Sequence, residues 1–124
     1  MKKVVVASSR KFYDEVRKLK AELDKRGING FYPKFDFCDD SVEENEKLKK
    51  QLTLRYFPAI NETDILYIFA KGGYVGISVA VETSYAYAKT KEIISSEPLA
   101  ELALRALVSK VMLPKEFVKY VEKK

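Results

Sequence analysis

The chain has 124 residues, 47% of them hydrophobic and 33% charged, with a net charge of +5, one cysteine (Cys38) and no histidine. This length and composition fit one folded domain spanning residues 1–124, and they exclude a disordered or low-complexity chain. The cysteine and histidine counts exclude a disulfide framework, a multi-cysteine zinc site and any histidine-based catalytic group within one chain, and they make a reducing cytoplasm the expected compartment.

The first predicted elements are a strand, a helix and a second strand. Residues 3–8 form a β-branched run without polar alternation, which is typical of a parallel strand buried on both faces. A helix is predicted next, because four apolar side chains recur at helical spacing and Gly27 can end it. These four are Phe12, Val16, Leu19 and Leu23. A short second strand is predicted at residues 30–33.

The acidic stretch that follows predicts the start of another helix. Ser41 and Glu44 have the spacing of a capping box, and the neighbouring acids suit the positive end of the helix dipole. We expect this helix to run to about Tyr56 and to end before Pro58. The alternative is a magnesium site built from Asp36, Asp39 and Asp40. Because the helix dipole explains the acids without a cation, we expect no resident metal.

The second half of the chain repeats the alternation of strand and helix. Residues 64–70 are the strongest predicted strand, and a glycine-rich loop at residues 71–76 connects it to a helix from about residue 77 to residue 90. The apolar stripe expected to face the core of that helix is Ile77, Val81, Tyr85 and Ala88. Further elements are a strand at 92–94, helices at 98–105 and 114–121, and a segment at 106–112 that fits either a helix or a strand.

This alternation predicts the fold class and the position of a ligand. Strands that alternate with helices indicate a three-layer α/β domain of flavodoxin-like or Rossmann-like type, with a mostly parallel sheet of four to five strands. Ligands bind such sheets at the carboxyl ends of the strands. Here those ends are predicted at residues 8–10, 71–78 and 95–97.

The glycine-rich loop is the most informative of these ends. Gly73 and Gly76 flank Tyr74 and allow a ligand to approach the backbone, and the helix that follows offers free N–H groups. The loop is neither a Walker motif nor a good dinucleotide fingerprint, and we expect no cofactor. The alternative interpretation is a loop that only needs tight turns.

Glu82 is the candidate catalytic residue. It lies near the start of the predicted helix among small and apolar neighbours, so its carboxylate is placed to face a cleft. Such a carboxylate can attack an anomeric carbon or stabilise an oxocarbenium-like transition state. The alternative is a glutamate that only favours the helix dipole or pairs with a basic side chain.

Other polar residues at the predicted strand ends are candidate ligand-binding groups. Ser8, Ser9 and Arg10 could hold a phosphate or carboxylate at the start of the first helix, or the serines could be plain N-caps. Ser78 and Tyr74 lie in or after the glycine loop, and Tyr74 could stack on a base. Asp64 opens the strongest strand and is a further candidate.

Most of residues 3–95 resemble the nucleoside 2-deoxyribosyltransferase-like superfamily, which includes the deoxynucleoside 5′-monophosphate N-glycosidases. The resemblance lies in a hydrophobic strand that begins with Asp64, a loop from Gly73 to Ser78, a helix with Glu82 and Ala86, and a lysine followed by a strand at residues 91–94.

The resemblance implies an N-glycosidic bond hydrolase or deoxyribosyltransferase that acts on a nucleoside or nucleotide. It implies that Glu82 is the nucleophile that attacks C1′, and that Ser8, Ser9, Arg10 and residues around Gly76 and Ser78 bind the sugar and any phosphate. It also implies a homodimer.

Two alternative functions are retained. The family's active enzymes carry a further aspartate upstream of the third strand, and the corresponding position near Tyr56 holds no carboxylate. This favours a non-catalytic module that binds a nucleotide or another phosphorylated metabolite. The second alternative is an interaction or nucleic-acid-associated protein that uses the basic surfaces of the two chain ends. Because no aromatic–basic RNA motif is present, nucleic acid is not the expected partner. No segment approaches the roughly 20 apolar residues of a membrane helix, and no membrane partner is expected.

Overall fold

A computed structural model describes residues 3–35 and 45–123 of the chain. These residues form five strands: β1 (Val4–Ser8), β2 (Gly30–Phe31), β3 (Ile65–Phe69), β4 (Glu92–Ser95) and β5 (Lys110–Val111). The helices are α1 (Tyr13–Lys25), α2 (Glu46–Leu54), α3 (Tyr56–Glu62), α4 (Ile77–Ala88), α5 (Leu102–Arg105) and α6 (Pro114–Glu122). Short 3₁₀ turns lie at Arg10–Phe12 and Lys71–Gly73.

The sheet is parallel throughout, with strand order β2-β1-β3-β4-β5. The long central pairing runs from Val4 opposite Ile65 to Ser8 opposite Phe69. Every residue of β1 and β3 is buried, as expected for β-branched and aromatic runs covered on both faces. The strand order reverses between β1 and β3, which makes the carboxyl ends of these two strands the topological switch point. The predicted fold class is confirmed.

Helices cover both faces of the sheet. On one face α1 and α6 pack over the side chains of Val4, Val6 and Tyr67, and the predicted α1 stripe is buried there. On the other face α3 and α4 pack over Val5 and Leu66. The two clusters form separate hydrophobic cores, and the result is the expected three-layer domain.

The buried face of α4 differs from the predicted one. The buried residues of α4 are Val79, Glu82, Thr83 and Ala86. Three residues of the expected stripe are exposed instead: Ile77 (86%), Val81 (41%) and Ala88. The fourth, Tyr85, is partly buried and packs against the core. Small residues such as Thr83 and Ala86 let the helix lie close to the sheet, and the Thr83 hydroxyl is satisfied because it donates to the Val79 carbonyl at 2.7 Å. The prediction from the apolar period alone was therefore wrong.

The helix predicted to run to about Tyr56 and to end before Pro58 ends at Leu54, and a second helix that was not predicted follows it. α2 ends at Leu54, and α3 begins at Tyr56 after a break at Arg55. Pro58 lies in the first turn of α3, where the backbone N–H that proline lacks has no partner within the helix. The side chain of Asn45 caps α2 by accepting from the backbone N–H of Leu48 at 3.0 Å.

The predicted capping box at Ser41 and Glu44, the alternative magnesium site at Asp36, Asp39 and Asp40, and Cys38 lie outside the described residues. Towards the C-terminus, the segment at 106–112 contains the strand β5, and the helix predicted at 98–105 is reduced to α5. Within residues 3–35 and 45–123, no helix has the length and apolarity needed to cross a bilayer.

Candidate active site

A cavity of about 780 Å³ opens at the carboxyl ends of β1 and β3, at the switch point of the sheet. Its wall is formed by the segment at the end of β1 (residues 8–11, called the β1 loop), the loop before α4, the first turns of α4, and the junction between α2 and α3. The lining residues that bear on its chemistry are Ser8, Ser9, Arg10, Lys11, Tyr13, Lys34, Lys49, Arg55, Tyr56, Tyr74, Gly76, Ser78 and Glu82. The cavity therefore brings together most of the candidates that the sequence indicated.

Glu82 is the one carboxylate among the described residues that line this cavity. Its side chain is only 4% exposed, and it makes no hydrogen bond with any residue the structure describes. Burial raises the pKa of Glu82 to about 8, while the positive charges of Lys49 and Arg55 oppose this rise. Glu82 is consequently a buried acid that is mostly protonated at neutral pH. It loses its proton more readily when its surroundings become more positive.

Arg55 is fixed on the cavity wall at the break between α2 and α3. Its guanidinium donates to the Tyr32 carbonyl at 3.2 Å and lies 4.2 Å from the centre of the Phe31 ring. The ring of Tyr56 is 5.5 Å away on the adjoining turn. Because backbone and aromatic contacts from β2, the following loop and α3 hold it, the guanidinium is an oriented cation near Glu82.

Tyr56 packs under the cavity beside Glu82. Its hydroxyl donates to the Val6 carbonyl in the centre of β1 at 3.1 Å. Burial, followed by the charge of Glu82, raises the pKa of Tyr56 well above its ordinary value. The phenol therefore stays neutral and holds α3 against β1.

The N-terminus of α4 faces the same cavity. Gly76 is the N-cap and has no side chain to satisfy the first turn. Within the described residues, the backbone N–H groups of Ile77, Ser78 and Val79 make no hydrogen bond. Three donors and the helix dipole thus form an anion-binding end, with the Ser78 side chain beside them.

The β1 loop forms a further part of the cavity wall. The Ser8 hydroxyl donates to the Ser9 carbonyl at 3.1 Å, and Ser9 precedes the 3₁₀ turn without a side-chain cap hydrogen bond. Ser9 is therefore the N-cap residue by backbone position, but its hydroxyl does not cap the turn. Both serines and Arg10 also line the cavity.

Tyr74 stands at the mouth of the cavity, with the ammonium group of Lys11 3.7 Å from its ring centre. Its ring also meets Phe12 edge-on at 6.3 Å between centroids. These two contacts connect the glycine loop to the segment that follows β1. The aromatic ring is half exposed and remains available to a ligand.

Two predicted site residues lie away from the cavity. Asp64 directly precedes β3, at the amino ends of the strands and so at the opposite end of the sheet from the cavity. Its backbone N–H donates to the Lys3 carbonyl there. The carboxyl end of the same strand forms the cavity, so Asp64 is one strand length away. Gly73 is buried at a φ of +83°, and its carbonyl accepts from the Ala100 N–H. Gly73 has a structural role in the loop, which agrees with the tight-turn alternative.

The sequence did not single out the cations of the α2–α3 junction. Lys49 and Arg55 lie on a segment that was predicted as one uninterrupted helix, which left no reason to place them at a strand end. The signal available was the run Tyr56-Phe57-Pro58, because a proline marks the first turn of a new helix.

No group of three or more metal-binding side chains occurs within the described ranges 3–35 and 45–123. On the described part of the wall, five cationic side chains face a single buried acid. The arrangement favours an anionic ligand and chemistry carried by a carboxylate.

The fold is that of nucleoside 2-deoxyribosyltransferase-like proteins. The 2-deoxyribosyltransferase of Bacillus psychrosaccharolyticus superimposes with a TM-score of 0.68 over 95% of this chain and 91% of its own, at 16% identity. The CMP N-glycosidase of Clostridium botulinum superimposes with a TM-score of 0.60 over 98% of this chain and 99% of its own, at 21% identity.

A conserved protein of Enterococcus faecalis V583 gives a TM-score of 0.68 at 16% identity, over 99% of this chain and 98% of its own. The sequence matches no protein-family model, and no curated protein matches it. At these identities the likeness establishes the fold, and the chemistry has to be argued from the cavity.

Proposed function

We propose that the protein cleaves the N-glycosidic bond of a nucleoside 5′-monophosphate, with Glu82 as the nucleophile. The observation that carries this proposal is a buried carboxylate without a hydrogen-bond partner among the described residues, facing a cavity at the switch point of the sheet. A structural glutamate at that depth would be expected to have a partner. The reactions named for two similar structures, glycosidic cleavage and deoxyribosyl transfer, are of the same kind.

The reaction needs two displacements at one carbon. The Glu82 carboxylate attacks C1′ of the sugar, and the C1′–N bond breaks with its electron pair going to the base. A glycosyl ester of Glu82 results. Water then attacks C1′ and releases the sugar, which gives hydrolysis, or a second base attacks and gives transfer. Both routes restore the carboxylate.

The phosphate has a proposed place at the end of the cavity formed by α4. The free N–H groups of the first turn and the Ser78 hydroxyl offer donors, and Ser9 and Arg10 lie on the facing wall. Such an end holds a phosphate without any further motif.

The decisive experiment is base release. Wild-type protein is incubated with deoxyribonucleoside and ribonucleoside monophosphates, and free base is followed by chromatography. We expect release by the wild type, none by Glu82→Gln, and wild-type rates for Glu62→Gln, whose exposed carboxylate lies outside the cavity. The absence of any release above the Glu82→Gln background would refute the proposal.

A second candidate function is a non-catalytic nucleotide-binding module. It is favoured by one observation: the described part of the cavity wall holds no second acid that could protonate the leaving base. The same panel separates the two, because a binding module would raise its melting temperature with nucleotides present and yet release no base.

The homodimer and the cytoplasmic location stay predictions. In support of a dimer, α4 carries the exposed Ile77 and Val81, and Val81 lines a surface groove together with the exposed Leu54. A second copy packed there would bury these side chains. Light scattering should give twice the chain mass for the wild type and a single chain mass for Ile77→Lys; a monomeric wild type would refute the dimer.

A further inference from the structure

The orientation of Arg55 points to a second role for the cavity wall. The side chain projects from the break between α2 and α3 and is held by the Tyr32 carbonyl at 3.2 Å and the Phe31 ring at 4.2 Å. Two consecutive residues, at the end of β2 and directly after it, thus hold the guanidinium in one orientation. An oriented guanidinium that lines a cavity is a recognition group for a planar ligand with acceptor atoms.

The position of Arg55 along the cavity identifies the part of the ligand it meets. The anion-binding end of α4 is at Ser78, and Glu82 lies one turn further along the helix, a rise of about 6 Å. Arg55 and Lys49 line the same cavity from the α2–α3 side, and their charges act on Glu82. In a nucleotide the base is attached at C1′ and the phosphate, through C5′, at C4′, so the two groups leave the sugar from different ring carbons. With the phosphate at the α4 end and C1′ at Glu82, the base extends beyond C1′ away from the phosphate, and Arg55 is a cation of the cavity wall that it can meet there.

Resting on the proposed function, we propose that Arg55 recognises the base and selects bases that carry a ring carbonyl, such as cytosine or guanine, over adenine. A guanidinium has five N–H donors and no acceptor, and one of its nitrogens already donates to Tyr32. The O6 and N7 atoms of guanine, or the O2 and N3 atoms of cytosine, accept from two donors. Adenine presents an amino donor instead and would leave a guanidinium donor unpaired.

The same contact assists departure of the base. When the Glu82 oxygen bonds to C1′ and the C1′–N bond breaks, the electron pair moves onto the base and is shared with its carbonyl oxygen. The guanidinium stabilises that negative charge until the base takes a proton from water. Arg55 thus supplies by charge what a second acid would supply by proton transfer.

The test is a binding comparison in the Glu82→Gln background, which prevents turnover. Calorimetry is run with dCMP, dGMP, dAMP and deoxyribose 5-phosphate. We expect Arg55→Met to weaken dCMP and dGMP about tenfold or more and to change deoxyribose 5-phosphate less than about twofold. Lys34→Met removes the same charge from an exposed position of the wall and should affect all four ligands alike.

Several outcomes would overturn the inference. Equal weakening of the sugar phosphate and the nucleotides would place Arg55 on the phosphate, and no weakening would remove it from the site. Equal binding of dAMP and dCMP by the parent protein would remove the selectivity. Arg55→Lys guards against a folding defect, because it keeps the charge and should still lose the preference for dCMP over dAMP.

The proposed function and this inference can fail separately. If the wild type releases no base but Arg55→Met abolishes the preference for oxo bases, the catalytic proposal fails and the recognition role stands. If Arg55→Met releases base at the wild-type rate and with the wild-type base preference, the catalytic proposal stands and the recognition role of Arg55 fails. If no probe binds the parent protein, both are overturned.

Discussion

The buried carboxylate of Glu82 should make the stability of the protein depend on pH in a way that Glu82→Gln abolishes. In the unfolded chain its pKa has the ordinary value of 4.5, and burial raises it to about 8 in the fold. Between these values the folded state binds a proton that the unfolded state has lost. The free energy of unfolding must therefore fall as pH rises through this window.

The magnitude follows from the size of the shift. Each pKa unit corresponds to about 1.4 kcal/mol, so full ionisation of Glu82 in the fold costs at most about 5 kcal/mol above pH 8, and nothing below the ordinary value. The cost already includes the favourable charges of Lys49 and Arg55. Glutamine occupies nearly the same volume and does not titrate, so the substitution removes the cost and leaves the packing.

Urea denaturation at several pH values measures this effect. The difference in unfolding free energy between Glu82→Gln and the wild type should be small at pH 5 and grow to a few kcal/mol in favour of the variant by pH 9. Glu62→Gln, at an exposed site on α3, should run parallel to the wild type throughout. A difference for Glu82→Gln that stays constant from pH 5 to pH 9 would refute the argument from burial.

Three further predictions concern catalysis and the loop before α4. The kcat/KM of base release should rise with pH to a limb near 8, because the nucleophile is the ionised form of Glu82, and rates at closely spaced pH values locate that limb. Gly73→Ala should destabilise the fold by about 2–3 kcal/mol in urea, since its φ is +83° and a Cβ would lie 2.5 Å from the Pro98 carbonyl; Gly76→Ala, with open space around it, should cost less than about 1 kcal/mol. Ser78→Ala should raise KM for a nucleoside monophosphate several-fold and leave that for the unphosphorylated nucleoside unchanged, as steady-state kinetics would show.

The central strands β1 and β3 could be predicted from sequence because neither has an exposed face. Runs such as Val4-Val5-Val6 and Ile65-Leu66-Tyr67 are buried on both sides, and hydrophobicity alone identifies them. The parallel order follows from the helices between them. The α2–α3 junction could not be predicted in the same way, because the break at Arg55 depends on aromatic and carbonyl contacts with distant residues of β2 and its loop.

Sequence reasoning placed Glu82 at the cavity but gave α4 the wrong buried face. An apolar period assumes that the sheet-facing side carries the largest apolar side chains, yet here Ile77 and Val81 face outward and Glu82 is buried. Glu82 departs from the rule that the buried positions of a helix are apolar, and such departures are expected at functional sites. Asp64 was misplaced for a simpler reason: it begins its strand, and only the carboxyl ends of parallel strands meet at the cavity.

The charges of the wall and of the proposed ligand have a further consequence. A bound phosphate brings negative charge within about one helical turn of Glu82 and so opposes its ionisation, while Lys49 and Arg55 favour it. Because kcat reflects the complex and kcat/KM the free enzyme, the acid limb of kcat should lie at higher pH than that of kcat/KM for a monophosphate. For an unphosphorylated nucleoside the two limbs should coincide. A kcat limb at lower pH than the kcat/KM limb with the monophosphate would refute this argument and would place the phosphate away from the α4 end.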